Sequence, residues 1–115
     1  MKKLFALVTA LGLLVAACSK DDDDDNGGAV DCNTLNSTFA AKVNPLIQTS
    51  CAKSGCHNAG SSNGVGALTT YDQIFAHRAA IRAAVSSGFM PRDATFSAQQ
   101  KAIITCWIDA GAPNN

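Results

Sequence analysis

Cys51-Ala52-Lys53-Ser54-Gly55-Cys56-His57 is the stretch on which the reading of this chain turns. Two thiols followed at once by a histidine can add to the two vinyl groups of haem and bring an imidazole within reach of its iron. The usual attachment pattern is C-x-x-C-H. Four residues separate the cysteines here, so the pattern is a C-x4-C-H variant in which the extra residues must bulge, and Gly55 permits the tight backbone that a bulge needs. Two other chemistries compete. A Cys51–Cys56 disulfide leaves His57 incidental. A zinc site would recruit Cys51, Cys56, His57 and His77, but suits poorly an oxidising compartment and a chain with no paired knuckle. Covalent haem makes the further demand of a second axial ligand downstream, displayed on a loop.

Outward from this stretch, the N-terminal part reads as an address. Met1-Lys2-Lys3 is a positive head, and Leu4 to Ala17 is an apolar run too short and wrongly flanked for a membrane span. It ends Leu14-Val15-Ala16-Ala17-Cys18, which resembles the lipobox of bacterial lipoproteins, with Val15 where Leu is more usual. The resemblance implies a signal peptide over 1–17, removal of that segment, and a diacylglyceryl group on Cys18. Residues 18–30 are expected to form a tether, because the five adjacent carboxylates Asp21 to Asp25 repel one another and cannot be buried. An acidic run just after the lipidated cysteine also resembles the export signal of Bacteroidetes-type lipoproteins, which directs display on the outer face of the outer membrane. A plain solvated spacer is the other reading.

The remainder, 31–115, is a single domain by length. The chain's nine basic and nine acidic side chains sum to zero net charge, which argues against a nucleic-acid surface. Every acidic residue is Asp, so a paired-Glu catalytic site is excluded. From Val30 onward there are six Lys and Arg against four Asp, a formal +2. Turn signals alternate with helical patterns and no long β-like alternation appears, so the expectation is an all-α fold of three to four short helices. The first helix is expected over about Asn36 to Lys42. Asn44-Pro45 then restarts the chain, with Asn44 as N-cap and Pro45 at the first helical position. Ala59 to Gly66, rich in Gly and Ser, is a loop. Thr70-Tyr71-Asp72-Gln73 reads as a capping box opening one helix through Ile74, His77 or Arg78, Ile81 and Val85, which Gly88 ends. Ser97-Ala98-Gln99-Gln100 is a second box. The last helix presents Ile103, Ile104, Trp107 and Ile108 and stops at Gly111 and Pro113. So few large apolar side chains build a marginal core, and the domain needs a disulfide, a metal or a bulky apolar cofactor as a staple.

With Met1 in the leader, Met90 is the one methionine of the mature chain, and Pro91 follows it. A residue before proline is pushed out of the helical region, so Met90 is displayed on a stiff loop, and its neutral thioether is a soft ligand that favours ferrous iron. Val43-Asn44-Pro45-Leu46-Ile47 running into Cys51, then Cys56-His57, Tyr71 before a helix, Met90-Pro91, and the ending Trp107-Ile108-Asp109-Ala110-Gly111-Ala112-Pro113-Asn114-Asn115 together resemble the small monohaem c-type cytochromes of the bacterial lipoprotein type. That resemblance implies a cytochrome c-like domain around one covalently bound haem c, with thioethers from Cys51 and Cys56. His57 is then the proximal iron ligand and Met90 the distal one, with His77 as the rival. Arg78, Arg82 and Arg92 are candidates to neutralise the haem propionates, and Trp107 is expected to pack the core.

By that assignment Cys32 and Cys106 are left over, and in an exported chain they are expected to form a disulfide; free thiols or an intermolecular bridge are the alternatives. The expected function is single-electron transfer without substrate turnover. The carrier is held by lipid in the bacterial envelope, in the periplasm or on the outer surface, and works with redox-protein partners and no nucleic acid. The competing functions are a disulfide-bonded non-haem lipoprotein that binds a surface partner, and a haem peroxidase or sensor with a labile distal ligand.

Overall fold

The structure, a computed structural model, describes residues 28–115. The expected signal peptide, the expected lipidation site Cys18 and the acidic run lie outside the described residues. Within them the fold is all-α: α1 (Cys32–Leu35), a π-helical turn (Phe39–Val43) leading into α2 (Asn44–Ser50), α3 (Tyr71–Ala76), α4 (Arg78–Ser87) and α5 (Ala98–Asp109). Among the described residues no helix is long and apolar enough to cross a membrane.

The capping signals act where they stand. Thr70 and Gln73 form both halves of a capping box at α3, and Ser97 and Gln100 do the same at α5. Gly88 ends α4 in the left-handed region at φ 79°, a conformation that is costly for a residue with a Cβ. Three local expectations need correction. A separate one-turn helix, α1, precedes the expected start, with the Asp31 carboxylate accepting from Asn33 N at 2.9 Å as its N-cap. Asn44 does not restart the chain: its φ of −60° and ψ of −49° are helical, and the helix runs unbroken from Phe39 to Ser50. The π turn accounts for this. Proline lacks an N–H and its ring clashes with the carbonyl four residues back, so a widened turn just before Pro45 accommodates both. The third correction is at His77, where α3 and α4 part at φ −104°, ψ 13°. The Phe75 carbonyl, which a continuous helix would offer to the Ala79 N–H, accepts from Arg78 Nη1 at 2.8 Å, and the guanidinium lies 4.0 Å over the Phe75 ring. Among the described residues the helices therefore number five and a π turn, against the three to four expected.

The main core gathers Phe39, Val43, Ile47, Leu68, Ile74, Val85, Ile104 and Trp107 from every part of the domain except α1. Trp107 is fully buried, as expected of a packing residue, and its indole N–H donates to the Pro113 carbonyl at 2.8 Å. Phe39 packs edge-on to Tyr71, centroids 5.0 Å apart, and lies 5.5 Å from the Trp107 ring. Tyr71 donates its hydroxyl to the Ala112 carbonyl at 2.8 Å, so two aromatic side chains fasten the segment after α5 against the core. That segment in turn caps the π turn: Phe39 N donates to Asn115 Oδ1 at 2.9 Å and Ala40 N to Asn115 O at 2.8 Å.

The short α1 has a smaller cluster of its own, Leu35 with Ala102 and Cys106 of α5. A Cys32–Cys106 disulfide, Cα atoms 5.4 Å apart, ties it there across 74 positions of sequence. The free-thiol and intermolecular alternatives do not describe this pair. Closing so long a loop removes denatured-state entropy worth roughly 4 kcal/mol, less any strain. Replacing both cysteines by serine is expected to lower the unfolding free energy by about 2–4 kcal/mol, read from urea denaturation followed by circular dichroism.

Candidate functional site

After α2 the backbone closes on itself. Cys56 N donates to Lys53 O at 3.0 Å, forming a tight turn over Lys53-Ser54-Gly55-Cys56 with Gly55 at φ 79°, and His57 N donates to Cys51 O at 2.9 Å. The four residues between the cysteines thus form a closed turn rather than a slack loop. The following Gly- and Ser-rich stretch folds back to hold it. Asn63 Nδ2 donates to the carbonyls of Gly55 (3.0 Å) and Cys56 (3.1 Å), and the Ser61 hydroxyl also donates to Cys56 O. Gly66 N donates to Asn63 O at 2.8 Å.

The carbonyl of Gly66 lies 2.7 Å from His57 Nδ1. A carbonyl oxygen can only accept, so Nδ1 carries a proton and donates it, and the bond fixes the orientation of the ring. His57 is 8% exposed, and its own carbonyl accepts from Leu68 N at 2.9 Å. Buried, oriented and with one nitrogen engaged by the backbone, this side chain is arranged as a metal-ligating histidine commonly is.

A cavity of about 630 Å³ opens beside it. Cys51, Cys56 and His57 line it from one segment, Val65 and Leu68 from the next, Ile81, Ala84 and Val85 from α4, and Phe89 to Asp93 from the loop after α4. Met90 lies on that loop, held by its N–H to the Ala84 carbonyl at 3.1 Å, and Pro91 behind it is buried. The structure therefore brings Cys51, Cys56, His57 and Met90 to one cavity, although 39 positions separate Cys51 from Met90. His77, at the α3–α4 junction, is not among the lining residues.

Cys51 and Cys56 are both free and half-buried, so the disulfide alternative does not describe them. Among the described residues no group of three or more His, Cys and Asp side chains gathers as a metal cluster, and the zinc set Cys51, Cys56, His57 and His77 is not assembled. Burial pushes the Cys51 thiol up to about 11, against a smaller opposing pull from the Lys53 ammonium. A cavity of this size is within the range of about 300–1,000 Å³ that holds small molecules and cofactors. Its walls are mainly apolar, and its lining includes two thiols, one imidazole and one thioether. Such side chains on apolar walls could hold a cofactor.

The three arginines separate. Arg82 is engaged with the Asp109 carboxylate through Nε (2.6 Å) and Nη2 (2.8 Å), linking α4 to α5 at the surface. Arg78 serves the Phe75 carbonyl. Arg92 lines the cavity, its guanidinium 4.4 Å over the ring of Phe89, which is 57% exposed. Three contributors escaped the sequence reading: the Gly66 carbonyl, the Asn63 amide, and an ion pair between Lys53 and Asp93 across 40 positions. The Gly-rich composition marked a loop but carried no signal of which carbonyl meets which side chain. Comparison of the chain with known protein families, curated proteins and solved structures finds no match.

The Cys51 thiol titrates higher in the folded chain than its ordinary value of 9.0, so its contribution to stability is present below that value and is lost as pH rises toward about 11. In the chain expressed without a covalent cofactor, urea midpoints at about pH 8 and about pH 10.5 are expected to differ more for wild type than for Cys51→Ala. Equal shifts in the two proteins would contradict the buried thiol.

Proposed function

We propose that this chain is a lipid-anchored c-type cytochrome that carries single electrons, with no substrate turned over. The observation that supports it best is the shared cavity: two free thiols, a buried histidine whose Nδ1 is engaged by the backbone, and Met90 line one mainly apolar pocket. In this reading Cys51 and Cys56 hold one haem c by thioethers, His57 Nε2 is the proximal ligand and Met90 the distal one. The placement of His77 away from the cavity favours Met90 over its rival. The group supplies a one-electron couple between ferric and ferrous iron.

The chain's own residues do the rest. The Gly66 carbonyl holds the imidazole in one tautomer and one orientation, so ligation need not rearrange between oxidation states. Val65, Leu68, Ile81 and Val85 exclude water from the pocket, which together with a neutral thioether raises the potential. Arg92, the one of the three arginines that lines the cavity, is the best placed to offset propionate charge. The lipid on Cys18 and the acidic tether would keep the domain close to other envelope redox proteins at a high effective concentration.

Protein produced with a c-type maturation system is expected to carry one covalent haem per chain by pyridine haemochrome assay, and none after Cys51→Ala with Cys56→Ala. Absence of covalent haem in wild type would leave the disulfide-bonded binding lipoprotein as the better reading. Wild type is further expected to resist carbon monoxide and cyanide, whereas Met90→Ala binds both readily. Ready binding by wild type would favour a peroxidase or sensor.

A further inference from the structure

The long spacing between the cysteines has a use beyond reaching both ends of a ring. The closed turn from Lys53 to Cys56 lies within the long spacer, and Lys53 opens it two positions after Cys51, beside the cavity-lining Asp93 with which it pairs. From there the Lys53 ammonium hydrogen-bonds the Asp93 carboxylate, three residues beyond Met90. Among the described residues this is the one hydrogen-bonded link between segment 51–57, which carries the thiols and His57, and segment 89–95, which carries Met90. The rest of segment 89–95 is lightly held. Its ties are the Met90 N–H to Ala84 O, the Phe89 N–H to Ser87 Oγ, burial of Pro91 and the stacking of Arg92 on an exposed ring, while Arg92 to Thr95 are all exposed.

We propose that Lys53 and Asp93 form a clasp that positions the Met90 loop over the cavity and so governs access to the distal side. The proposal rests on the c-type reading and deepens it. Lys53 and Asp93 are positioning residues, acting through the loop that bears Met90 and not on the iron. Both partners are exposed, so the clasp is weak and screened by salt, and the loop it holds opens readily by a small factor. Access to the distal side therefore depends on ionic strength. The same feature lets the site remain closed to exogenous ligands in dilute surroundings and loosen where salt or a charged partner competes for either side chain.

The test uses the haem-loaded protein and four forms: wild type, Asp93→Asn, Lys53→Gln, and the charge-exchanged pair Lys53→Asp with Asp93→Lys. At low salt, both single variants are expected to take up carbon monoxide about two- to fivefold faster than wild type, with a matching rise in hydrogen exchange of the amides of 89–95. The exchanged pair is expected to return both readouts toward wild type, which a merely structural role of either residue would not produce. At about 1 M salt the differences are expected to vanish, because wild type loosens to the level of the variants. A thioether-to-iron charge-transfer band in wild type, together with uptake and exchange unchanged in both single variants, would overturn the clasp and leave the function standing. No such band in wild type would overturn Met90 ligation and the clasp with it.

Discussion

The hydrogen bond from His57 Nδ1 to the Gly66 carbonyl joins the local folding of one loop to the chemistry of the whole cavity. It forms only if the chain between Cys51 and Gly66 is closed at several points: His57 N to Cys51 O, Asn63 Nδ2 to the Gly55 and Cys56 carbonyls, and Gly66 N to Asn63 O. Together these bonds pair the backbone groups of the loop, the half-buried ones at the cavity wall included, where an unpaired carbonyl or amide is costly. The loop is therefore rigid for a polar reason, without the aliphatic packing that stiffens a helix pair. A small domain that gives up interior space to a cavity has little packing to spare, and hydrogen bonding takes over the task at the wall.

Elsewhere the domain holds its shape by covalent and aromatic means. The Cys32–Cys106 disulfide secures α1, whose own apolar cluster is small, and Phe39, Tyr71 and Trp107 clamp the segment after α5. These supports lie outside the lining of the cavity, to which α4 contributes and α5 does not. Leu68, Ile81 and Val85 belong to both the core and the cavity wall, so a change in the core would reach the site through α4 and through the segment that carries Leu68.

Much of the local structure was legible residue by residue. Thr70 with Gln73 and Ser97 with Gln100 named two helix starts, and Gly88 named an end, since each acts on a backbone group within three or four positions. Pro45 marked the first turn of α2, but Asn44 is helical and not its cap, because the widened π turn before it carries the helix on from Phe39. His77 misled: periodicity ran through it, whereas α3 and α4 part there, where Arg78 stacks on Phe75.

The sequence by itself determined the all-α character, the two capping boxes, the Gly-rich loop, and an inventory of two thiols, an adjoining histidine and one downstream methionine. All of these rest on residue type and on interactions a few positions long. Tertiary structure decided that Met90 and not His77 shares the cavity with His57, that the Gly66 carbonyl selects the imidazole tautomer, and that Lys53 meets Asp93 while Arg82 meets Asp109. Those pairings span 9, 40 and 27 positions, distances at which no periodicity or capping rule carries information. They follow from where the packed helices leave the loop ends, and so they become definite only when the chain has folded.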